Sequence, residues 1–144
     1  MDSRKLASIG SMVLGIILII GGIGTWTMVS STLADQRIET PEDACLPERE
    51  VTGPFTAYCQ AMIIQEHALD STEGQTYAEL DRDDPLRETA MNASFLQASL
   101  FTSVLAFGVS AMAIGMGVLF VLIGMGIRDV QSQITALQQQ AMAR

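Results

Sequence analysis

The sequence predicts an all-α membrane protein: a two-helix transmembrane hairpin with a small helical extracytoplasmic cap that one disulfide closes. Of its 144 residues, 49% are hydrophobic and only 17% are charged, which is unusual for a soluble domain of this length. The apolar residues form two blocks, 6–34 and 89–127, that contain no ionisable side chain. Each block exceeds the roughly 20 residues that a helix needs to cross the hydrocarbon core of a bilayer. The only two cysteines lie between the blocks.

The two blocks divide the chain into five predicted segments. These are a cytoplasmic N-terminus at 1–5, transmembrane helix 1 at 6–29, an acidic extracytoplasmic loop at 30–94, transmembrane helix 2 at 95–127 and a cytoplasmic helical tail at 128–144. The second helix should begin before its membrane span, near residue 85, because Asp84 suits the cap position and Pro85 suits the first turn. Its first residues would then stand outside the bilayer.

The first apolar block also has features of a signal peptide with a cleavage site near Ala34. Arg4 and Lys5 precede it as a positively charged n-region would. Its apolar run, 6–29, is longer than the about 7 to 15 residues of a typical signal-peptide core, and Trp26 suits an interfacial anchor. We therefore expect this block to remain as a membrane span.

The distribution of charge predicts the orientation in the membrane. Fourteen of the sixteen acidic residues lie in the loop together with only four arginines. Of the basic residues outside the loop, Arg4, Lys5 and Arg128 adjoin the apolar blocks. Positive residues beside span ends tend to stay in the cytoplasm. We therefore expect both termini in the cytoplasm, with the loop outside a bacterial plasma membrane.

Cys45 and Cys59 are expected to form a disulfide, because the loop lies on the oxidising side of that membrane. The closed loop of about 15 residues would stabilise the fold by about 3 kcal/mol. Zinc bound by these cysteines and His67 is the alternative, but their spacings match no compact zinc-ligand pattern. We expect neither a metal nor a cofactor.

The cap should contain a helix from Pro54 to near Gly74. Its expected small core consists of Met62, Ile63, Leu69 and Tyr77. An acidic docking face for a basic extracytoplasmic partner is predicted after this helix, at Glu79, Asp81, Asp83 and Asp84. A solvated surface is the alternative interpretation, and the stretch lacks the glycine of an EF-hand calcium loop.

Small residues recur at helical spacing in both apolar blocks. In the second block they form a seam of Ser99, Ser103, Ala106, Ser110, Ala113, Gly117 and Gly124. In the first block they are Ala7, Ser11 and Gly15. Small residues let membrane helices approach closely, so both sets are candidate packing surfaces, although such residues are also common in membrane helices. The partner of the seam, helix 1 or another subunit, stays open.

The tail after Arg128 carries Val130, Ile134, Leu137 and Ala141 at heptad spacing. Two heptads are a weak signal. The tail is therefore either a short coiled coil or an extension of the second helix.

Several classes of function lack support in the sequence. Neither span carries the intramembrane ionisable residues that proton relays and ion pathways usually use. The phosphate-binding loop, the GxSxG nucleophile elbow and the HExxH metal motif are absent from the sequence. We expect no nucleic-acid partner.

Three stretches resemble a family of small actinobacterial two-span membrane proteins. They read GPFTAYCQ at 53–60, TYAELDRDDP at 76–85 and MNASF at 91–95, continuing through Phe107 and Gly108. The resemblance covers most of residues 6–127. Family members often carry the label aromatic ring-opening dioxygenase, but such an enzyme needs several iron ligands and the single histidine here cannot supply them. The resemblance implies an actinobacterial plasma membrane and not that activity.

Three hypotheses for function follow. The first is a non-catalytic accessory or structural subunit of a larger envelope or respiratory membrane complex, which contacts other integral membrane subunits through the seam and a basic partner through the acidic face. The second is a homo-oligomeric membrane scaffold that uses the same seam. The third is a membrane enzyme or metal sensor that uses Glu66, His67 and the acidic residues of the loop.

Overall fold

The computed structural model describes residues 3–143, apart from the side chain of Arg4, which therefore lies outside the described part. The described chain is all-helical, and its two long apolar helices confirm that part of the predicted class. The helices are α1 (Ser3–Asp35), α2 (Pro54–Ser71) and α3 (Arg87–Met142). The chain forms two compact units, which are unit 1 (Met1–Gly24 with Val109–Arg144) and unit 2 (Thr25–Gly108).

Helix α1 is continuous over 33 residues because its sequence contains five glycines but no proline. It ends at Asp35, after which Arg37 adopts a left-handed conformation with φ 51°. The backbone N–H groups of Gln36 and Arg37 donate to the carbonyl groups of Leu33 and Ala34. These hydrogen bonds satisfy carbonyls that the end of the helix would otherwise leave unpaired.

Helix α2 has strong start and stop signals. Pro54 occupies the first turn, and the backbone N–H of Gly53 donates to the hydroxyl of Thr56 at 3.2 Å. At the other end, Gly74 has φ 84° and its N–H donates to the carbonyl of Leu69 at 2.7 Å. A left-handed residue after a helix favours glycine, so the predicted stop near Gly74 has its physical cause in this turn.

Helix α3 begins at Arg87, two residues after the predicted start. Asp84 accepts a hydrogen bond from the N–H of Leu86 at 2.8 Å, so it organises a turn before the helix. The helix then runs for 56 residues to Met142. The tail therefore belongs to α3 in the described chain, and its pairing into a coiled coil remains a prediction.

The core of unit 2 differs from the predicted one. Ile63 is buried and Leu69 partly buried, but Met62 and Tyr77 are exposed, so the expectation was wrong for these two. The observed core consists of Leu33, Val51, Ala57, Ala61, Leu100 and Phe107. Helix α2 thus turns two alanines inwards, and these small side chains allow a close approach to the other residues of the core.

The segment between α1 and α2 folds around Thr40, which is 2% exposed. Its N–H donates to the carbonyl of Arg49 at 2.9 Å, and its hydroxyl accepts from the N–H of Arg49 at 3.0 Å. An isolated antiparallel bridge joins Glu39 to Glu50. Cys45 lies inside this turn and forms the predicted disulfide with Cys59 of α2, with the two Cα atoms 5.4 Å apart. The crosslink attaches the turn to α2.

Removing this crosslink should destabilise unit 2. In a Cys45→Ser, Cys59→Ser double variant we expect the free energy of unfolding to fall by about 3 kcal/mol, because the unfolded chain regains the freedom of a closed loop of about 15 residues. The measurement is denaturant unfolding of the purified protein with and without a thiol reductant. The reductant should lower the stability of the wild type and leave the double variant unchanged. Equal stability of both proteins without reductant would contradict the expectation.

Candidate functional site

The clearest candidate surface in unit 1 is the contact between α1 and α3. Gly15 of α1 and Gly117 of α3 oppose each other, Gly22 meets Ser110, and Ser8 meets Gly124. Each successive contact lies seven residues further along α1 and seven residues earlier along α3. Within unit 1 the two helices therefore run antiparallel, with small residues at a common heptad spacing.

Glycine is needed at these positions because the backbones touch. A β-carbon added to Gly15 would lie 2.5 Å from the carbonyl oxygen of Gly117, and one added to Gly117 would lie 2.6 Å from the carbonyl oxygen of Gly15. A β-carbon at Gly22 would lie 2.8 Å from the carbonyl oxygen of Ser110. All three distances are shorter than van der Waals contact, so even alanine would force the helices apart.

Two serines add hydrogen bonds between the same helices. The hydroxyl of Ser8 donates to the carbonyl of Gly124 at 2.7 Å, and the hydroxyl of Ser11 donates to the carbonyl of Phe120 at 2.7 Å. Ser8 is 3% exposed, so its hydrogen bond is buried between the two helices. Such interhelical hydrogen bonds contribute about 0.6 to 2 kcal/mol each in a membrane setting.

The residues of the predicted packing surfaces differ in how far they are buried. Ser110, Gly117, Gly124 and Gly15 are buried, and Ser11 is partly buried. Ser103, Ala106 and Ala113 are also partly buried, whereas Ser99 and Ala7 are exposed. The hydroxyl of Ser103 bonds within its own helix, to the carbonyl of Ser99 at 3.2 Å.

The sequence analysis missed two contact residues, Ser8 and Gly22. Both lie seven residues from Gly15, so a search for matching heptads of small residues in the two blocks would have found them. The prediction followed a four-residue spacing in α1 instead. That spacing drifts around a helix of 3.6 residues per turn, which is why it reached the exposed Ala7.

Other small residues in unit 1 lie away from this contact. A β-carbon at Gly10, Gly115 or Gly126 would have no neighbour within 4 Å. Gly115 is two residues from Gly117, so it lies on the opposite side of α3. The exposed Ala111 precedes it by about one turn. We call Ala111 and Gly115 the outer small-residue surface of α3.

The four acids of the predicted docking face have different environments. Glu79 accepts hydrogen bonds from the N–H and hydroxyl of Thr76, both at 2.8 Å, and these bonds lower the pKa of Glu79. Asp84 is partly buried in the turn before α3. Asp81 and Asp83 are exposed. Two of the four carboxylates therefore organise local turns, and the other two project their charge into the surroundings.

His67 and Asp43 form an ion pair in unit 2, with Nε2 and Oδ2 2.7 Å apart. The hydrogen bond to Asp43 raises the pKa of His67, and the same bond lowers the pKa of Asp43. Both side chains are more than half exposed, so solvent weakens the pair. No cluster of three His, Cys, Asp or Glu side chains with metal-binding geometry occurs within the described residues.

A cleft of about 130 Å³ lies between α2 and α3 in unit 2. Its polar lining is neutral and includes Gln65, Gln75, Thr76, Tyr77 and Gln97. The side-chain nitrogen of Gln97 donates to the oxygen of Gln65 at 2.7 Å. The lining contains no carboxylate, histidine or free thiol, so it offers amide hydrogen bonds and not an acid–base pair.

Comparison with protein-family models, with curated proteins and with solved structures finds no match for this chain. The geometry of its own residues is therefore the basis for a functional proposal.

We call the contact between α1 and α3 at Gly15, Gly22, Gly117 and Gly124 the inner contact. Replacing one of its glycines should disrupt unit 1. We expect Gly117→Leu to lower the free energy of unfolding by about 3 kcal/mol or more, since the new side chain meets the backbone of α1. Gly115→Leu is the matched control, because it adds the same atoms to α3 in open space. The measurement is thermal unfolding of both purified variants in detergent. Equal losses of stability in the two variants would show that the inner contact does not require glycine at position 117.

The His67–Asp43 pair should make the stability of unit 2 depend on pH. Because folding raises the pKa of His67, its contribution is present below the ordinary histidine range and disappears as the pH rises through the raised pKa. Because folding lowers the pKa of Asp43, its contribution disappears only as the pH falls through that lowered value. The advantage of the wild type over His67→Gln should therefore be largest near about pH 5 to 6.

An NMR titration checks the same pair directly, because the chain has a single histidine. Asp43→Asn should lower the pKa of His67. Asp70→Asn is the control, since the Asp70 carboxylate raises this pKa least among the groups that raise it. An unchanged His67 titration in Asp43→Asn would refute the pairing.

Proposed function

We propose that the chain is a non-catalytic accessory subunit of a larger membrane complex in a bacterial plasma membrane. In this proposal α1 and the apolar part of α3 cross the bilayer as a hairpin, both termini lie in the cytoplasm and unit 2 forms the extracytoplasmic cap. The resemblance to small actinobacterial membrane proteins agrees with this location.

The exposed apolar surface of unit 1 supports the membrane placement. Ile17 and Ile20 of α1 are 60% and 65% exposed, and Leu119 and Leu122 of α3 are 59% and 56% exposed. Contiguous apolar surface of this kind is unfavourable in water and favourable against lipid. The helices instead bury glycine and serine, as expected where lipid removes the hydrophobic drive for burying large side chains.

One observation carries the role as a subunit. The inner contact uses Gly15, Gly22, Gly117 and Gly124 within the chain, whereas a β-carbon added to Gly115, on the other side of α3, would have no neighbour within 4 Å. Together with Ala111, Gly115 gives α3 a second surface on which another helix could approach closely. We therefore assign the partner contact to this outer small-residue surface, in place of the seam residues that α1 already covers.

The acidic cap supports a second contact with a partner of basic character. Asp81 and Asp83 are exposed, and His67–Asp43 is the only ion pair among the described side chains, which do not include that of Arg4. Unpaired surface carboxylates attract basic surfaces and increase association rates at low salt. A basic extracytoplasmic domain of the same complex would fit this charge.

A homo-oligomeric scaffold is the second candidate, because the tail of α3 presents unpaired apolar side chains. Val130, Ile134 and Leu137 are 56%, 39% and 65% exposed. They follow one another at about one turn, as the apolar positions of a short coiled coil do. A second copy of the chain would cover them.

Co-purification from native membranes in mild detergent tests the proposal. We expect a defined partner with the wild type and its loss with Gly115→Leu, which fills the outer surface without entering the inner contact. Val109→Leu is the control, since it adds one methylene at an exposed apolar position of the same helix that lies about 120° around the helix from Gly115. Two differently tagged copies in one cell distinguish the candidates: recovery of the second tag in place of a foreign protein supports the scaffold. A strictly monomeric particle without any partner would refute both.

A further inference from the structure

We propose that unit 1 holds a binding site for the phosphate headgroup of an anionic phospholipid in the cytoplasmic leaflet. The site is a cleft of about 320 Å³ between α1 and α3. Its lining residues are Lys5, Ser8, Ile9, Met12, Arg128 and Gln131. The inference goes beyond the proposed function and rests on its membrane placement.

The helix pairing explains why two basic residues meet in this cleft. Ser8 and Gly124 form the last of the three inner contacts and hold the two backbones together. Lys5 precedes Ser8 by about one turn, and Arg128 follows Gly124 by about one turn. Since the helices are antiparallel in unit 1, Lys5 and Arg128 both lie beyond the contact of Ser8 with Gly124, towards the same end of unit 1. Lys5 and Arg128 therefore converge from different helices.

The charge of the cleft is not neutralised by the described part of the chain. Its lining contains no carboxylate, and neither Lys5 nor Arg128 forms an ion pair within residues 3–143. Asp129 follows Arg128, but it does not line the cleft, and its carboxylate accepts a hydrogen bond from the side chain of Gln133 at 3.2 Å. Two cations that have no ion-pair partner among the described residues lie in a concave site, which suits a phosphate because it accepts hydrogen bonds from both.

Gln131 provides a second, independent indication. Its side-chain amide nitrogen is buried and has no hydrogen-bond acceptor among the described residues. Buried amide donors normally have a partner. Ser8 cannot supply a donor to a ligand while its hydroxyl bonds the carbonyl of Gly124. A rotation of the Gln131 side chain towards the cleft would give this nitrogen a phosphate oxygen as the acceptor that it lacks.

An adjoining apolar cleft favours a lipid over a free phosphate ion. It has a volume of about 390 Å³ and shares Gln131 with the basic cleft. Its other lining residues are Ile123, Gly126, Ile127, Val130 and Ile134. Gly126 leaves open space there, since a β-carbon would meet nothing within 4 Å. A headgroup in the basic cleft would thus place an acyl chain along Ile123 and Ile127, which lie on the bilayer side of Arg128.

Native mass spectrometry of the purified full chain in non-ionic detergent tests this site. The probes are phosphatidylglycerol and phosphatidylcholine with identical acyl chains, offered at equal concentration, with inorganic phosphate as a competitor. We expect preferential retention of phosphatidylglycerol, reduced about fivefold by Arg128→Gln, because one basic residue near a membrane surface contributes about that factor. Gln131→Leu should also reduce retention without changing the charge. Arg82→Gln, which removes one positive charge from the cap, should have no effect.

Equal retention of the two lipids, or retention that neither Arg128→Gln nor Gln131→Leu alters, would overturn the proposal. Displacement of the lipid by inorganic phosphate at equal concentration would identify a free-ion site and also overturn it. Fractionation of the cells separates this outcome from failure of the membrane placement: a chain that enters the membrane fraction but shows no lipid preference refutes only the lipid site.

Discussion

The contact of two helix backbones at glycine is the constraint on which unit 1 depends. Gly15 and Gly117 bring α1 and α3 so close that neither position has room for a methyl group. The serine hydroxyls reach the opposite carbonyls only at this separation, because their side chains are short. The convergence of Lys5 with Arg128 is a further result, since each lies about one turn beyond the same contact.

Local features of the sequence predict the helices and the disulfide. Uninterrupted apolar runs predict the long helices, Pro54 and Gly74 predict the limits of α2, and the two cysteines predict their own pairing. Small residues on α3 also predict where a close helix contact could occur. The register of α1 against α3 was not predictable from either block alone. Ser8 and Gly22 can be identified as contact residues only when the heptads of the two helices are aligned in opposite directions. The functional role and the membrane orientation stay predictions.

The core of unit 2 shows why other features escape sequence reasoning. Large apolar side chains such as Met62 were expected inside, but Ala57 and Ala61 occupy the buried face of α2. Their partners come from distant parts of the chain, among them Leu33 and Leu100. A choice between a small and a large buried face depends on the distance between elements, which a single helix does not specify. Thr40 was missed for a similar reason, because its importance comes from the turn that closes around it.

Contacts between residues that are far apart in the sequence form later during synthesis than contacts between residues that are close. The disulfide joins residues 14 apart, so both of its partners exist as soon as α2 has been made. The bond from Ser8 to Gly124 joins residues 116 apart. During translation, α1 must therefore exist with its glycine surface uncovered until the distal half of α3 has been made. Throughout that interval any other helix with a small-residue face is a competitor, and a chaperone or a companion subunit that occupied the groove would delay the final pairing.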